Sequence, residues 1–249
     1  MTTDSGAGVP LTFLGTGNAF AGAGYWSSFL VGGRVLMETS PAVLANLRRM
    51  NADMGAIDAI FLSHFHADHT FGWPFLLLEY LARTRRSSDL WVVGPPGVGE
   101  RLEQMCRVGA YPLHDRARGG FDLHFVEANP AAGWQEAGPV PFRAELVEHA
   151  ADLECFGFVV EQGGRRIGYS GDTGLCNGLR ALVRGSDAMV MECNAQHSVQ
   201  AGHMVMDDVR TLRAEFPDRP FVLTHAGKDV DPSGIPGVHR PRDFETVTV

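Results

Sequence analysis

Residues 64–69 read His64-Phe65-His66-Ala67-Asp68-His69, which puts three imidazoles and one carboxylate in six positions. The motif follows directly on the apolar run Ile57-Asp58-Ala59-Ile60-Phe61-Leu62. A strand ending there would deliver His64 and His66 onto a tight turn, and residues two apart project to the same side. Asp68 and His69 would then begin a helix that bends the chain back toward the same point. Neutral imidazole is a good donor to zinc, and a carboxylate completes a borderline-hard site. One histidine on an apolar face is ordinarily a packed or surface residue, but three beside an aspartate are not explained that way. This density constrains the fold, because the coordination shell stays incomplete unless other strand ends bring more donors to the same place.

The chain offers those donors. An alternating run over 142–147 is followed by His149. A short strand pattern over 166–170 is followed by Gly171-Asp172-Thr173-Gly174, and one over 221–224 by His225-Ala226-Gly227. Each candidate stands where a strand stops and a small residue lets the backbone turn. Singly, each reads as an ordinary polar loop residue. Their shared position after a strand is the signal.

The hydrophobic content of 45% supports a buried core and excludes wholesale disorder. Strands are expected over 11–14, 28–31, 34–38, 57–62, 90–93, 121–127, 142–147, 156–161, 166–170, 188–192, 221–224 and 245–249. Helices are expected over 41–50, 68–83, 97–108, 175–183 and 205–216. The Pro-, Ala- and Gly-rich stretch 129–141 reads as a surface loop, and Phe75-Leu76-Leu77-Leu78 with Tyr80 and Leu81 reads as core, far too short to cross a membrane. Each half offers strands, a helix and more strands with donors at strand ends. That suits an α/β fold, a four-layer αββα sandwich with helices outside, two sheets inside and the donors at one rim.

On these motifs the chain resembles the metallo-β-lactamase-fold hydrolases, and within them the ribonuclease Z branch. The matching pieces run in order. They are Phe13-Leu14-Gly15-Thr16-Gly17, then Ser63 to His69 with Phe71-Gly72-Trp73-Pro74, then Val147-Glu148-His149 with Phe156-Gly157-Phe158. Tyr169-Ser170-Gly171-Asp172-Thr173, Glu192, Gly202-His203 and Leu223-Thr224-His225 complete the set. The resemblance implies that residues 1–249 form one hydrolase domain. It implies that His64, His66 and His149 bind one metal, that Asp68, His69 and His225 bind a second, and that Asp172 bridges them. Two divalent ions about 3.5–4 Å apart repel, and a shared carboxylate reduces that repulsion. With five histidines, two carboxylates and no cysteine, zinc is the first choice, and manganese or iron suit the same donors.

The expected reaction is hydrolysis by a metal-bridging hydroxide, with Asp68 both ligating and orienting it. His203 is the candidate general acid and Glu192 its orienting partner. A helix start beside His203 would oppose its charged form, so Glu192 must outweigh that dipole. The expected substrate is a small or accessible phosphodiester. The tRNA nucleases of this branch usually carry a protruding arm between the third histidine and the bridging aspartate, and here that interval holds only two short strands and a turn. A 3′-processing tRNA endonuclease is therefore the weaker reading. Thioester, lactone or ester hydrolysis on the same centre is the main alternative, with Phe65, Phe71, Trp73 and Trp26 either lining a pocket or packed as core. A non-catalytic metal-binding module would be expected to lack donors, and none of the seven is missing. Glu38 stands where the family usually has aspartate, which alters how a metal ligand is held from behind.

Other features read as structural. The stretch Gly15 to Gly22 fits neither a dinucleotide fingerprint nor a P-loop and reads as a backbone turn beside the metals. His114, His124, His197 and His239 read as ordinary polar positions. Arg83, Arg85 and Arg86 read as a solvated helix end. Four scattered cysteines, with no CxxC pair, suit free thiols in a reducing cytoplasm. The first ten residues show no secretory pattern. The net charge of −8 argues against charge-driven nucleic-acid binding, though not against a local basic groove. The family resemblance is compatible with a homodimer.

Overall fold

A computed structural model describes residues 8–84, 86–109, 113–117 and 120–249. The start of the chain (1–7) and Arg85, on which two of the expectations above fall, lie outside the described residues. In chain order the first half forms β1 (Pro10–Gly15), β2 (Ser28–Val31), β3 (Val35–Met37), α1 (Val43–Arg49), β4 (Ala59–Phe61), α2 (Ala67–Thr70) and α3 (Trp73–Glu79). It continues with β5 (Leu90–Gly94), α4 (Val98–Val108), α5 (Leu113–Ala117) and β6 (Leu123–Glu127). The second half forms β7 (Trp134–Ala137), β8 (Val140–Val147), β9 (Cys155–Gln162), β10 (Arg165–Tyr169), α6 (Asn177–Gly185) and β11 (Ala188–Glu192). It ends with α7 (Met206–Glu215), β12 (Phe221–Thr224), β13 (Val238–His239) and β14 (Thr246–Thr248).

The strands make two seven-stranded sheets, ordered β14-β1-β2-β3-β4-β5-β6 and β13-β12-β11-β10-β9-β8-β7. Three apolar layers follow. Phe13, Phe29 and Phe61 of the first sheet meet Phe142, Phe158 and Tyr169 of the second. Leu47, Leu76 and Leu102 cover the outer face of the first sheet, and Leu179, Leu182 and Val209 that of the second. This is the αββα sandwich. Strands covered on both faces, such as β11, are buried throughout, whereas β8 alternates toward solvent. Phe61, the last residue of β4, packs edge-on against Phe142 and Phe158, each at 5.2 Å. It thereby anchors the strand end from which the histidine motif departs.

β3 to β6 run parallel, as do β10 to β13. In α/β sheets, ligands bind beyond the carboxyl ends of such strands. Those ends carry Glu38 after β3, His64 after β4, Asp172 after β10, Glu192 closing β11 and His225 after β12.

The structure corrects four local expectations. The helix expected over 68–83 is broken into α2, α3 and a π-helical turn at Tyr80–Thr84. Thr39 diverts two backbone bonds at the break: its N–H donates to His69 O and its carbonyl accepts from Gly72 N, both at 2.8 Å. Pro74, which has no N–H, restarts the helix. Within α3, Leu76 and Leu77 are core, but Phe75 and Leu78 are exposed by 60% and 37%. The stretch 129–141 is not a loop: β7 pairs antiparallel with β8 across Gly138-Pro139, so the Pro and Gly there are turn residues at a sheet edge. Arg86 is not a solvated helix end but is buried, donating to the carbonyls of Ser88 and Asp89 at 2.7 and 2.6 Å.

Candidate metal centre

β4 ends at Phe61, and the chain bends at Ser63 and crosses the rim to His66, which is extended, before α2 begins. The Ser63 hydroxyl lies 2.9 Å from His64 Nδ1, which leaves His64 Nε2 facing inward. His149 follows β8, and its Nδ1 donates to Gly202 O at 2.9 Å. A carbonyl can only accept, so a neutral His149 presents a bare Nε2 lone pair. His66 Nδ1 lies 2.9 Å from His64 Nε2 and 3.2 Å from His149 Nε2. Three ring nitrogens thus converge on one point. Burial is the leading influence on both His64 and His149 and pushes their pKa values down, which keeps these imidazoles neutral.

A second group adjoins the first. His69 Nε2 stands 3.4 Å from Asp68 Oδ2, and His225 Nε2 lies 3.4 Å from the same oxygen. Asp172 Oδ2 joins the two groups, lying 3.3 Å from His225 Nε2, 3.4 Å from His69 Nε2 and 3.9 Å from His149 Nε2. Burial alone would raise the pKa values of both aspartates, but the surrounding histidines outweigh it and hold both carboxylates well below the usual range. All seven candidate ligands are therefore brought together, in the sets His64/His66/His149 and Asp68/His69/His225 with Asp172 between them.

The donor set suits cations. Both ring nitrogens of His69, Asp172 Oδ1 and His225 Nδ1 are buried without a hydrogen-bond partner. Buried polar atoms are normally paired, so such a concentration signals a bound group. Burial opposes protonation of His69, yet Asp172 and Glu38 still drive its pKa up: their field draws positive charge to this point.

Glu192 and His203 lie alongside. His203 Nδ1 is 2.8 Å from Glu192 Oε1, and the same carboxylate accepts from Thr173 N at 2.7 Å and Met204 N at 3.3 Å. Burial would lower the His203 pKa, but the Glu192 hydrogen bond and charge leave it raised. Gly202 makes this approach feasible. Its φ is +89°, and a Cβ there would sit 2.3 Å from His149 O.

A sequence profile of the beta-lactamase superfamily domain matches residues 33–226. The chain belongs to that family. It is a metal-dependent hydrolase of metallo-β-lactamase fold and ribonuclease Z-like type. The Ribonuclease Z of Methanosarcina acetivorans is 25% identical over 275 aligned positions, covering 89% of this chain and 90% of that protein. The metallo-β-lactamase fold protein YhfI from Bacillus subtilis superposes with a TM-score of 0.77 at 19% identity, covering 96% of this chain and 99% of that one. A diphosphatase from the PhnP family gives a TM-score of 0.76 at 18% identity, covering 97% and 98%.

In this family member, Glu38 is fully buried at φ +64°, accepts from Ser63 N and lies 3.4 Å from His69 Nδ1. The longer carboxylate therefore still backs a histidine of the centre. The Gly15 to Gly22 turn does lie beside the cluster: Thr16 O accepts from Ala226 N, and Asn18 bonds Asn194. Among the four aromatics in question, Trp73 is core, Trp26 donates to Ala19 O, and Phe65 and Phe71 border a cavity that shares His66 with the cluster. Sequence reasoning missed the other residues of that cavity, notably Phe75, Leu78, Arg101 and Met105. Helical spacing groups Phe71, Phe75 and Leu78 on one face, but it does not say whether that face is covered.

Proposed function

We propose that this hydrolase cleaves small or accessible phosphodiesters at a two-ion centre. On this reading His64, His66 and His149 hold one ion, Asp68, His69 and His225 hold the other, and Asp172 serves both. Zinc is the ion these donors favour, with manganese or iron as alternatives. When bound, such ions supply Lewis acidity and bring the pKa of coordinated water toward neutrality. The chain's own groups do the rest. Asp68, the most accessible carboxylate of the cluster, orients the attacking water. The water oxygen bonds to phosphorus, one phosphorus–oxygen ester bond breaks, and the departing oxygen takes the proton of His203 Nε2. Glu192 stabilises the imidazolium before transfer, and the proton the water gives up is restored to His203 through solvent.

The observation that carries this reading is the 2.8 Å His203–Glu192 contact beside the cluster. An alkoxide leaving group needs a proton, whereas a thiolate leaves without one, so a built acid favours phosphodiesters over thioesters. The Methanosarcina acetivorans relative is named Ribonuclease Z, a name that fits phosphodiester cleavage. The interval between His149 and Asp172 is the β9–β10 hairpin, closed by Gly163-Gly164, with no arm to grip a folded RNA. That supports a small substrate over tRNA. Four buried free cysteines are in keeping with work in the cytoplasm. No helix among the described residues is long and apolar enough to cross a membrane. The test is parallel turnover of bis(p-nitrophenyl) phosphate against panels of acyl thioesters and lactones. Phosphodiester turnover alone is expected; inert phosphodiesters with rapid thioester cleavage would overturn the reading.

A further inference from the structure

We infer that the cavity between α3 and α4 is the specificity pocket of this enzyme, and that it takes a bulky apolar ester substituent, alkyl or aryl, of the substrate. The inference rests on the phosphodiesterase reading for the bond cleaved, but not for the pocket itself. The cavity measures about 670 Å³, and His66, a member of the polar cluster, forms part of its wall. That volume lies in the range of small-molecule sites, about 300–1,000 Å³. Its lining is chiefly Phe65, Phe71, Phe75, Leu78 and Met105. Of the eight large hydrophobics exposed among the described residues, four (Phe71, Phe75, Leu78 and Val108) border this one cavity. Such a concentration marks a binding surface. Among the described lining residues one guanidinium is placed there: that of Arg101, 5.3 Å over the Phe65 ring. An apolar wall joined to a polar cluster at His66, with a guanidinium among its described lining residues, matches an anionic diester whose second substituent is hydrophobic. A nucleobase would need several edge partners, and among the described lining residues His66, Arg101 and Gln104 are the hydrogen-bonding side chains other than the Cys106 thiol. The cavities around 230–243 share no residue with the cluster.

The test uses p-nitrophenyl phosphodiesters whose second ester group is methyl, butyl, hexyl, phenyl or 5′-thymidyl, so that the leaving group stays constant. kcat/KM is expected to rise about three- to fourfold per methylene that enters the pocket. Phe75→Ser and Leu78→Ser are expected to shrink the hexyl-to-methyl ratio at least tenfold. Both sites are solvent-exposed, and thermal unfolding verifies that each variant is folded. A flat series, or a ratio that survives both substitutions, overturns the inference, as does a thymidyl ester that outruns the hexyl ester. So does light scattering showing a dimer that Phe71→Ser with Phe75→Ser converts to monomer, since a second copy would then cover this face. If every phosphodiester is inert while acyl thioesters show the same Phe75-dependent rise with chain length, the bond assignment fails and the pocket stands.

Discussion

His66 has two dissimilar sides. Toward the cluster it meets the nitrogens of His64 and His149 at 2.9 and 3.2 Å. Away from it, the same residue walls a cavity where Phe71 and Phe75 are more than half exposed. Each side departs from what folding alone favours, in opposite directions. The polar floor buries groups that lack partners, which ordinarily costs about 1–3 kcal/mol apiece. The apolar wall leaves in water side chains whose burial would contribute about 1.5–3 kcal/mol each. Neither departure serves the fold, and both converge on one residue. The comparison teaches that the floor needs charge and the wall needs hydrocarbon, so their ligands should be separable by experiment.

The largest effect is expected at the floor. Asp172→Asn removes the carboxylate that stands between the two histidine sets and should lower kcat/KM by at least a thousandfold. Metal content by elemental analysis should fall with it, and full retention of metal would break the assignment. Chelation comes next. At metal a thousandfold above Kd, binding contributes about 4 kcal/mol, and a domain of this size gains about 2–4 °C per kcal/mol. Calorimetry should therefore show Tm falling by about 10 °C on metal removal.

His203→Ala should cost about 10²–10⁴-fold with an alkoxide leaving group and far less with p-nitrophenolate. Because Glu192 raises the His203 pKa, the acid form persists to higher pH, and activity is lost as pH climbs through that value. Glu192→Gln should move that alkaline limb to lower pH, and an unmoved limb would separate His203 from proton transfer. Gly202→Ala forces a side chain into a left-handed backbone against His149 O, with strain of about 1–3 kcal/mol. Thermal unfolding and turnover should both suffer. The smallest stability effect belongs to the wall: Phe75→Ser should change stability by only about 0.5 kcal/mol, since the side chain is mostly in water.

Much of the floor was legible in the chain because metal-ligand chemistry uses few residue types and strand ends place them predictably. His149, Asp172 and His225 each follow a strand whose alternation or apolar run is visible in the residues. The break after Thr70 was not legible, because it depends on Thr39, about thirty residues away, capturing backbone groups that a helix would otherwise use. Arg86 was misread for a similar reason: besides the local carbonyls of Ser88 and Asp89, the distant Gly55 carbonyl and Phe121 ring enclose it.

By itself the sequence determined the sandwich and the donors at its rim, because side-chain periodicity and donor chemistry are local properties. Tertiary structure alone decided which apolar residues stay uncovered. Phe75 and Leu76 are neighbours of similar hydrophobicity, yet one faces the cavity and the other the core. That difference arises from how α3 lies against α4 and the sheet, and no property of either residue taken alone contains it.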